Sequence, residues 1–180
     1  MKLWLIIGAV AVVVIAVVFV ALRDKQDDEN TSMAAQAEVP TAAAAPTDYA
    51  SIQRAFLDEN LKKPGWKATG SGLQYHVLKA VEDTAPKPAP GSVVTVNYEG
   101  RLIDGTIFDS SYARNEPISF PLNGVIAGWQ EGVPMMRVGE TWEFAIPAGL
   151  AYGPDGAGPI PGGSTLIFKI DLLAAKNTVQ

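Results

Sequence analysis

Hydrophobic and polar positions follow three rhythms along this chain. Leu3 to Leu22 is apolar, with no charged side chain. At the rise of a helix such a run spans roughly 30 Å, about the thickness of a bilayer's hydrocarbon core. We therefore expect a transmembrane anchor over residues 1–22, left uncleaved because Phe19-Val20-Ala21-Leu22-Arg23 fits a signal cleavage site poorly. Lys2 and the α-amine before the span are nearly balanced by Arg23 and Lys25 after it, and a short N-terminal flank with an exported C-terminal part is the favoured arrangement. Residues 23–47 have no apolar periodicity, being charged at first and then rich in Ala, Thr and Pro. They read as a flexible linker. A short helix is expected within residues 48–65, capped by Thr47 or Asp48 and running to about Lys63. Ile52, Phe56 and Leu57 would lie on one face, and Pro64-Gly65 would end it.

From Trp66 onward the period drops to two. Leu73 to Leu78 is one expected strand. Val94, Val96 and Tyr98 alternate with Thr95, Asn97 and Glu99, so Tyr98 should face inward. Asp104-Gly105 is a hairpin signal, with Thr106 to Asp109 returning. Trp142, Phe144 and Ile146 alternate with polar or small neighbours, and Leu166, Phe168, Ile170 and Leu172 with Ile167, Lys169 and Asp171. A short helix is expected near Val125 to Met135. The fold class is α+β: an antiparallel sheet of about five strands wrapped around one short helix, in a domain spanning residues 66–180. Two loops interrupt the pattern. Glu82 to Gly91 carries Pro86, Pro88 and Pro90, and Pro147 to Gly163 has 17 residues of which 10 are Gly or Pro. An irregular connection of that length inside a domain is usually functional.

Composition then removes chemistries. The net charge is −5, and from Trp66 onward 8 basic side chains face 11 acidic ones, so no basic stripe awaits a nucleic acid. There is no Cys, which excludes disulfides and thiolate chemistry. His76 is the only His, which excludes conventional Ser-His-Asp and two-His metal sites, and its strand position reads as surface. Glu140 and Glu143 should point to opposite sides of a strand, and Glu131 should be solvated. No metal or cofactor is expected. What remains is a set of rings: Tyr98, Phe108, Phe120, Trp129, Tyr152 and Phe168. They could fill a core as well as line a cavity. Tyr152, however, sits in the Gly/Pro loop and carries a hydroxyl. Asp109 reads either as a turn carboxylate or as a carboxylate at the rim of an aromatic cavity. In the second case Arg114 and the Tyr98 hydroxyl are available partners.

Co-linear motifs bring these residues together. Val96-Asn97-Tyr98-Glu99-Gly100, Gly105 to Ser111, Val125 to Gly132, Val138-Gly139-Glu140, Ala151-Tyr152-Gly153 and Ile160-Pro161 followed by Ser164 to Phe168 resemble FKBP-type peptidyl-prolyl isomerases. Gly70 to Tyr75, preceded by Phe56 to Asn60, resembles that family's bacterial exported, membrane-anchored branch. The resemblance implies an FKBP-like fold that accelerates rotation about X–Pro bonds by non-covalent stabilisation of a twisted amide. It implies catalytic positions at Tyr98, Asp109, Ile126, Trp129 and Tyr152, with Trp129 as the floor under the proline ring. The Ile126 N–H and the Tyr152 hydroxyl would bind substrate carbonyls. Phe108, Arg114, Ile118, Phe120, Val125, Ile160 and Phe168 would complete the substrate-binding set. The implied partners are proline-containing clients and macrolide inhibitors, with membrane attachment through the N-terminal helix. Taken with the apolar run Leu3–Leu22, the expected location is a bacterial inner membrane, single-pass, with the catalytic domain periplasmic. Ile118 stands where many relatives have Phe, and the Gly153–Gly158 loop is about one residue shorter than in compact eukaryotic members and lacks their His. The rival reading is a non-catalytic, chaperone-like module that holds apolar or Pro-containing segments.

Overall fold

A computed structural model describes residues 48–176. The expected anchor and linker over residues 1–47 lie outside the described residues, and among the described ones no helix is long and apolar enough to cross a membrane. Helix α1 (Tyr49–Asn60) leads into strands β1 (Lys67–Ala68), β2 (Gln74–Lys79), β3 (Val93–Leu102) and β4 (Ile107–Ser110). Then come α2 (Ser111–Arg114), β5 (Ile118–Pro121), α3 (Ala127–Gly132), β6 (Thr141–Ile146) and β7 (Leu166–Lys176).

All pairings are antiparallel, in the order β1-β2-β6-β7-β3-β4. The edge of β3 beyond β7 is shared: its first half pairs with β5 and its second with β4. Because those two strands divide one edge, the chain must leave the sheet between them. It does so through the single turn of α2, capped by the Ser110 hydroxyl accepting from the Ala113 N–H at 3.2 Å. The left-handed Asn115 (φ 51°) ends that turn.

The strong alternations lie where expected. Val94, Val96 and Tyr98 of β3 are buried, as are Trp142, Phe144 and Ile146 of β6 and Leu166, Phe168, Ile170 and Leu172 of β7. These inward side chains meet α3, which settles unusually close to β6. A methyl group on Gly128 would lie 2.5 Å from Ile146, and one on Gly132 would lie 2.6 Å from the Phe144 ring. Two glycines four apart on one helix face make that approach possible.

Four expectations need correction. The sheet has seven strands rather than five, because β1 is a two-residue ladder and β5 a four-residue one. α1 stops at Asn60, and its most buried residues are Gln53 and Asn60, not Ile52, which is exposed. Asn60 donates to Gln74 Oε1 and Gln74 donates to the Leu57 carbonyl, each at 2.9 Å, so the helix docks through hydrogen bonds and not through an apolar stripe. Gln74, Ala145 and Ile167 face one another across β2, β6 and β7. α1 closes over that end of the outer face, which is why Ile167 is buried although it alternates with core residues. His76 is half-buried rather than on the surface, its ring 5.7 Å from that of Trp66.

Candidate active site

Trp129 is the base of the site. α3 is only six residues long, and its start is set by two amides, those of Trp129 and Gln130, both donating to the Ile126 carbonyl at 2.9 and 3.1 Å. That turn drives the indole into the concave side of the sheet, where it is 4% exposed. Three rings surround it nearly edge-on: Phe168 at 5.3 Å, Tyr98 at 5.4 Å and Phe120 at 5.8 Å, with interplanar angles of 85–88°. Edge-to-face contacts of this kind set an edge against the negative face of a neighbouring ring. Phe108 packs edge-on against Phe168 at 5.6 Å. Gly100 makes room for both, since a methyl there would lie within 2.7 Å of each ring.

Above the indole lies a cleft of about 740 Å³. Tyr98, Phe108, Phe120, Trp129 and Phe168 supply rings to its wall, while Val125, Ile126 and Ile160 supply aliphatic surface. Asp109 and Tyr152 also line it, and Gly124, Ala157, Gly158 and Pro159 complete the rim. Ten of the residues named from sequence therefore surround one cavity. Two do not line it. Ile118 pairs with Val96, and its half-buried side chain packs against the core. Arg114 approaches from outside, 44% exposed, and touches the cleft only through its partners.

Those partners form a triangle. The Tyr98 hydroxyl donates to Asp109 Oδ2. Arg114 donates to Asp109 Oδ1 at 2.6 Å and to the Tyr98 oxygen at 3.3 Å. Partial burial pushes the Asp109 carboxyl upward, but the Tyr98 and Arg114 hydrogen bonds outweigh it and hold the group below the usual carboxylate range. Burial, together with donation to Asp109, pushes the Tyr98 phenol upward. The site thus presents a fixed negative charge on β4 and a neutral phenol on β3. Ser111, whose hydroxyl accepts from the Tyr98 N–H at 2.8 Å, ties the two strands together behind it.

Two further polar groups of cleft-lining residues can donate. The Ile126 N–H has no hydrogen-bond partner among the described residues, and neither has the Tyr152 hydroxyl, on a residue 41% exposed. The Gln130 side-chain amide, a residue the sequence pattern did not single out, donates to the Val125 carbonyl at 2.7 Å. It holds from behind the same peptide group that offers the Ile126 N–H. The small rim residues were missed because they contribute backbone rather than side chains. Among the described residues no group of three or more His, Cys, Asp or Glu is placed to hold a metal.

Comparison with known proteins gives a consistent likeness. Residues 85–173 match the family model described as "FKBP-type peptidyl-prolyl cis-trans isomerase". Residues 16–77 match "Domain amino terminal to FKBP-type peptidyl-prolyl isomerase". The chain is 52% identical over 124 residues to the peptidyl-prolyl cis-trans isomerase Mip of Coxiella burnetii, covering 68% of this chain and 53% of that one. It is 53% identical over 119 residues to the FKBP-type 22 kDa peptidyl-prolyl cis-trans isomerase of Escherichia coli, covering 66% and 57%. The chain thus spans a little over half the length of these curated relatives. Among solved structures, a peptidyl-prolyl cis-trans isomerase from Pseudomonas syringae superposes with a TM-score of 0.67 at 38% identity, covering 74% of this chain and 98% of that one. FkpA from Escherichia coli gives 0.68 at 40% identity, covering 72% and 60%.

Proposed function

The chain belongs to the family of FKBP-type peptidyl-prolyl cis-trans isomerases, and on that premise we propose that it accelerates rotation about X–Pro bonds in polypeptide clients. The observation that carries this reading is the apolar, ring-walled cleft over Trp129, with two donors at its rim that have no partner among the described residues.

An X–Pro bond resists rotation by about 18–20 kcal/mol because resonance gives it double-bond character. Resonance also places partial negative charge on the carbonyl oxygen, so the planar amide is more polar than the twisted one. Water favours the planar form, and a cleft that replaces water with hydrocarbon and ring surface withdraws that preference. A thousandfold acceleration needs only about 4 kcal/mol. In this reading the proline ring rests on the Trp129 indole, and the Ile126 N–H and Tyr152 hydroxyl hold substrate carbonyls. Asp109 lies beside the carbonyl before the proline. A fixed carboxylate there disfavours the planar form further, since that form has the more negative oxygen. Arg114 and Tyr98 keep the carboxylate charged and aimed.

A protease-coupled assay on a short X–Pro peptide tests the reading. Wild-type protein is expected to accelerate isomerisation at micromolar concentration, and Tyr152→Phe to retain most of it, losing about two- to tenfold in kcat/KM for one hydrogen bond. Absence of acceleration by the wild type would leave the chaperone-like binding module as the better account. The same cleft is where a macrolide would compete with substrate.

The run Leu3–Leu22 supports a second part of the proposal, that the isomerase is tethered to a bacterial inner membrane with its catalytic domain on the periplasmic side and acts on exported clients. In membrane fractionation the full chain should sediment with membranes and resist extraction by carbonate. Its C-terminal domain should be cut by protease added to spheroplasts. Recovery in the soluble fraction would refute the tether.

A further inference from the structure

α1 lies outside the cleft, yet its buried polar side chains end on the cleft's most irregular wall. The loop from Pro147 to Gly163 carries Tyr152 and Ile160 and has few side chains able to hold it in place by packing. Ile160, Leu150 and Ala151 pack on the core, and the rest of the loop is held by hydrogen bonds. The Gly153 N–H donates to the Ala148 carbonyl and the Gly163 N–H to the Gly153 carbonyl, each at 2.8 Å, so the two ends of the loop are laced together beside Tyr152.

α1 binds the far end of that lacing. The Gln53 side chain, 4% exposed, accepts from the Thr165 N–H at 2.8 Å across 112 residues of sequence. The Ser164 hydroxyl donates to the Pro161 carbonyl at 2.6 Å, which uses its only hydrogen. The 2.6 Å contact between Tyr49 and Ser164 must then have Tyr49 as the donor. The result is a directed chain from the Tyr49 hydroxyl through Ser164 to Pro161, whose preceding residue, Ile160, lines the cleft.

We propose that Tyr49 and Gln53 are positioning residues for the isomerase cleft, bracing from α1 the loop that presents Tyr152 and Ile160. The proposal rests on the isomerase reading above. Its physical content is a population: the loop must occupy one arrangement for Tyr152 and Ile160 to meet substrate, and apparent affinity falls in proportion when that arrangement is less occupied. Buried hydrogen bonds are well suited to fixing one arrangement, because leaving the Thr165 N–H unpaired in a dry site is unfavourable. α1 is thereby coupled to the active cleft.

The test uses the full chain carrying Gln53→Leu, Gln53→Glu or Tyr49→Phe. Backbone amide exchange across residues 148–165 and the kinetics on an X–Pro peptide are measured for each. Gln53→Leu removes the acceptor at similar volume and should speed exchange in the loop, lowering kcat/KM about three- to tenfold, chiefly by raising KM. Gln53→Glu keeps an acceptor and should restore both readouts. Tyr49→Phe, a milder change on a partly exposed ring, should move them in the same direction and covers the case in which Gln53→Leu does not fold. A lower melting temperature with unaltered loop exchange and unaltered KM would reduce α1 to a structural role and overturn the proposal. If the wild type fails to accelerate isomerisation, the isomerase reading falls, and loop exchange alone then decides whether the brace exists.

Discussion

Replacing Trp129 with alanine is expected to lower the free energy of unfolding by about 3–5 kcal/mol and to remove the acceleration of X–Pro rotation. The indole is 4% exposed and packs against the rings of Tyr98, Phe120 and Phe168 together. Its loss leaves a void beneath rings that reach it from three different strands, and those strands cannot all close inward at once. For a domain of this size the melting temperature should fall by roughly 10–20 °C. Trp129→Phe separates floor from fold. The indole N–H has no hydrogen-bond partner among the described residues, so the phenyl ring forfeits volume but no hydrogen bond. It should lose less stability and keep measurable turnover. Thermal melts beside the peptide assay check both variants. If Trp129→Ala melts and turns over like the wild type, the indole is not the floor of the site.

How much of this was visible in the sequence depends on how each element is held. β3, β6 and β7 were legible because one face of each is dry and the other wet, so the alternation is written into residue type. β5 was not. It has four residues including Pro121, and it exists only because the edge of β3 left free by β4 offers it a ladder. α1 misled for a different reason. Its apolar residues suggested a stripe through Ile52, whereas the docked face is built on Gln53 and Asn60, each satisfied by a specific distant partner. Amphipathic periodicity detects burial by water-avoidance and has no means of seeing burial by hydrogen-bond complementarity.

The candidate site divides in the same way. The rings and Asp109 could be named as site residues because the ordered motifs that carry them resemble a known family; residue pattern alone left core filling and cavity lining equally open. Ile118 does not line the cleft, because strand alternation fixes the face of a strand but not how far along it the cavity extends. Phe120, two residues on, reaches the indole, while Ile118 ends on Val96 in register. Arg114 could be paired with Asp109 as an available partner. That it stands outside the cleft follows from the single turn of α2, which had no apolar period to announce it.

Gly132→Ala separates readings of α3 that differ in sign. Gly132 has ordinary right-handed helical angles, φ −76° and ψ −43°, so nothing in its backbone calls for glycine. By intrinsic helix propensity alone, alanine should stabilise α3 by about 0.8–1.0 kcal/mol. Packing opposes this. The added methyl would lie 2.6 Å from one carbon of the Phe144 ring and 3.1 Å from two more. Phe144 is 1% exposed, with the Trp142 ring 5.8 Å away, so it has no room to retreat. Overpacking of this kind costs about 1–3 kcal/mol, which exceeds the propensity gain over most of that range. α3, six residues long and set close against β6, is the part that yields. Trp129 lies three residues earlier on the same helix and moves with it, so the floor of the cleft rises toward the substrate. The variant is therefore expected to melt below the wild type and to lose turnover together with stability. A rise in melting temperature would mean that α3 stands farther from β6 than these distances place it, and the depth of the cleft over Trp129 would have to be redrawn.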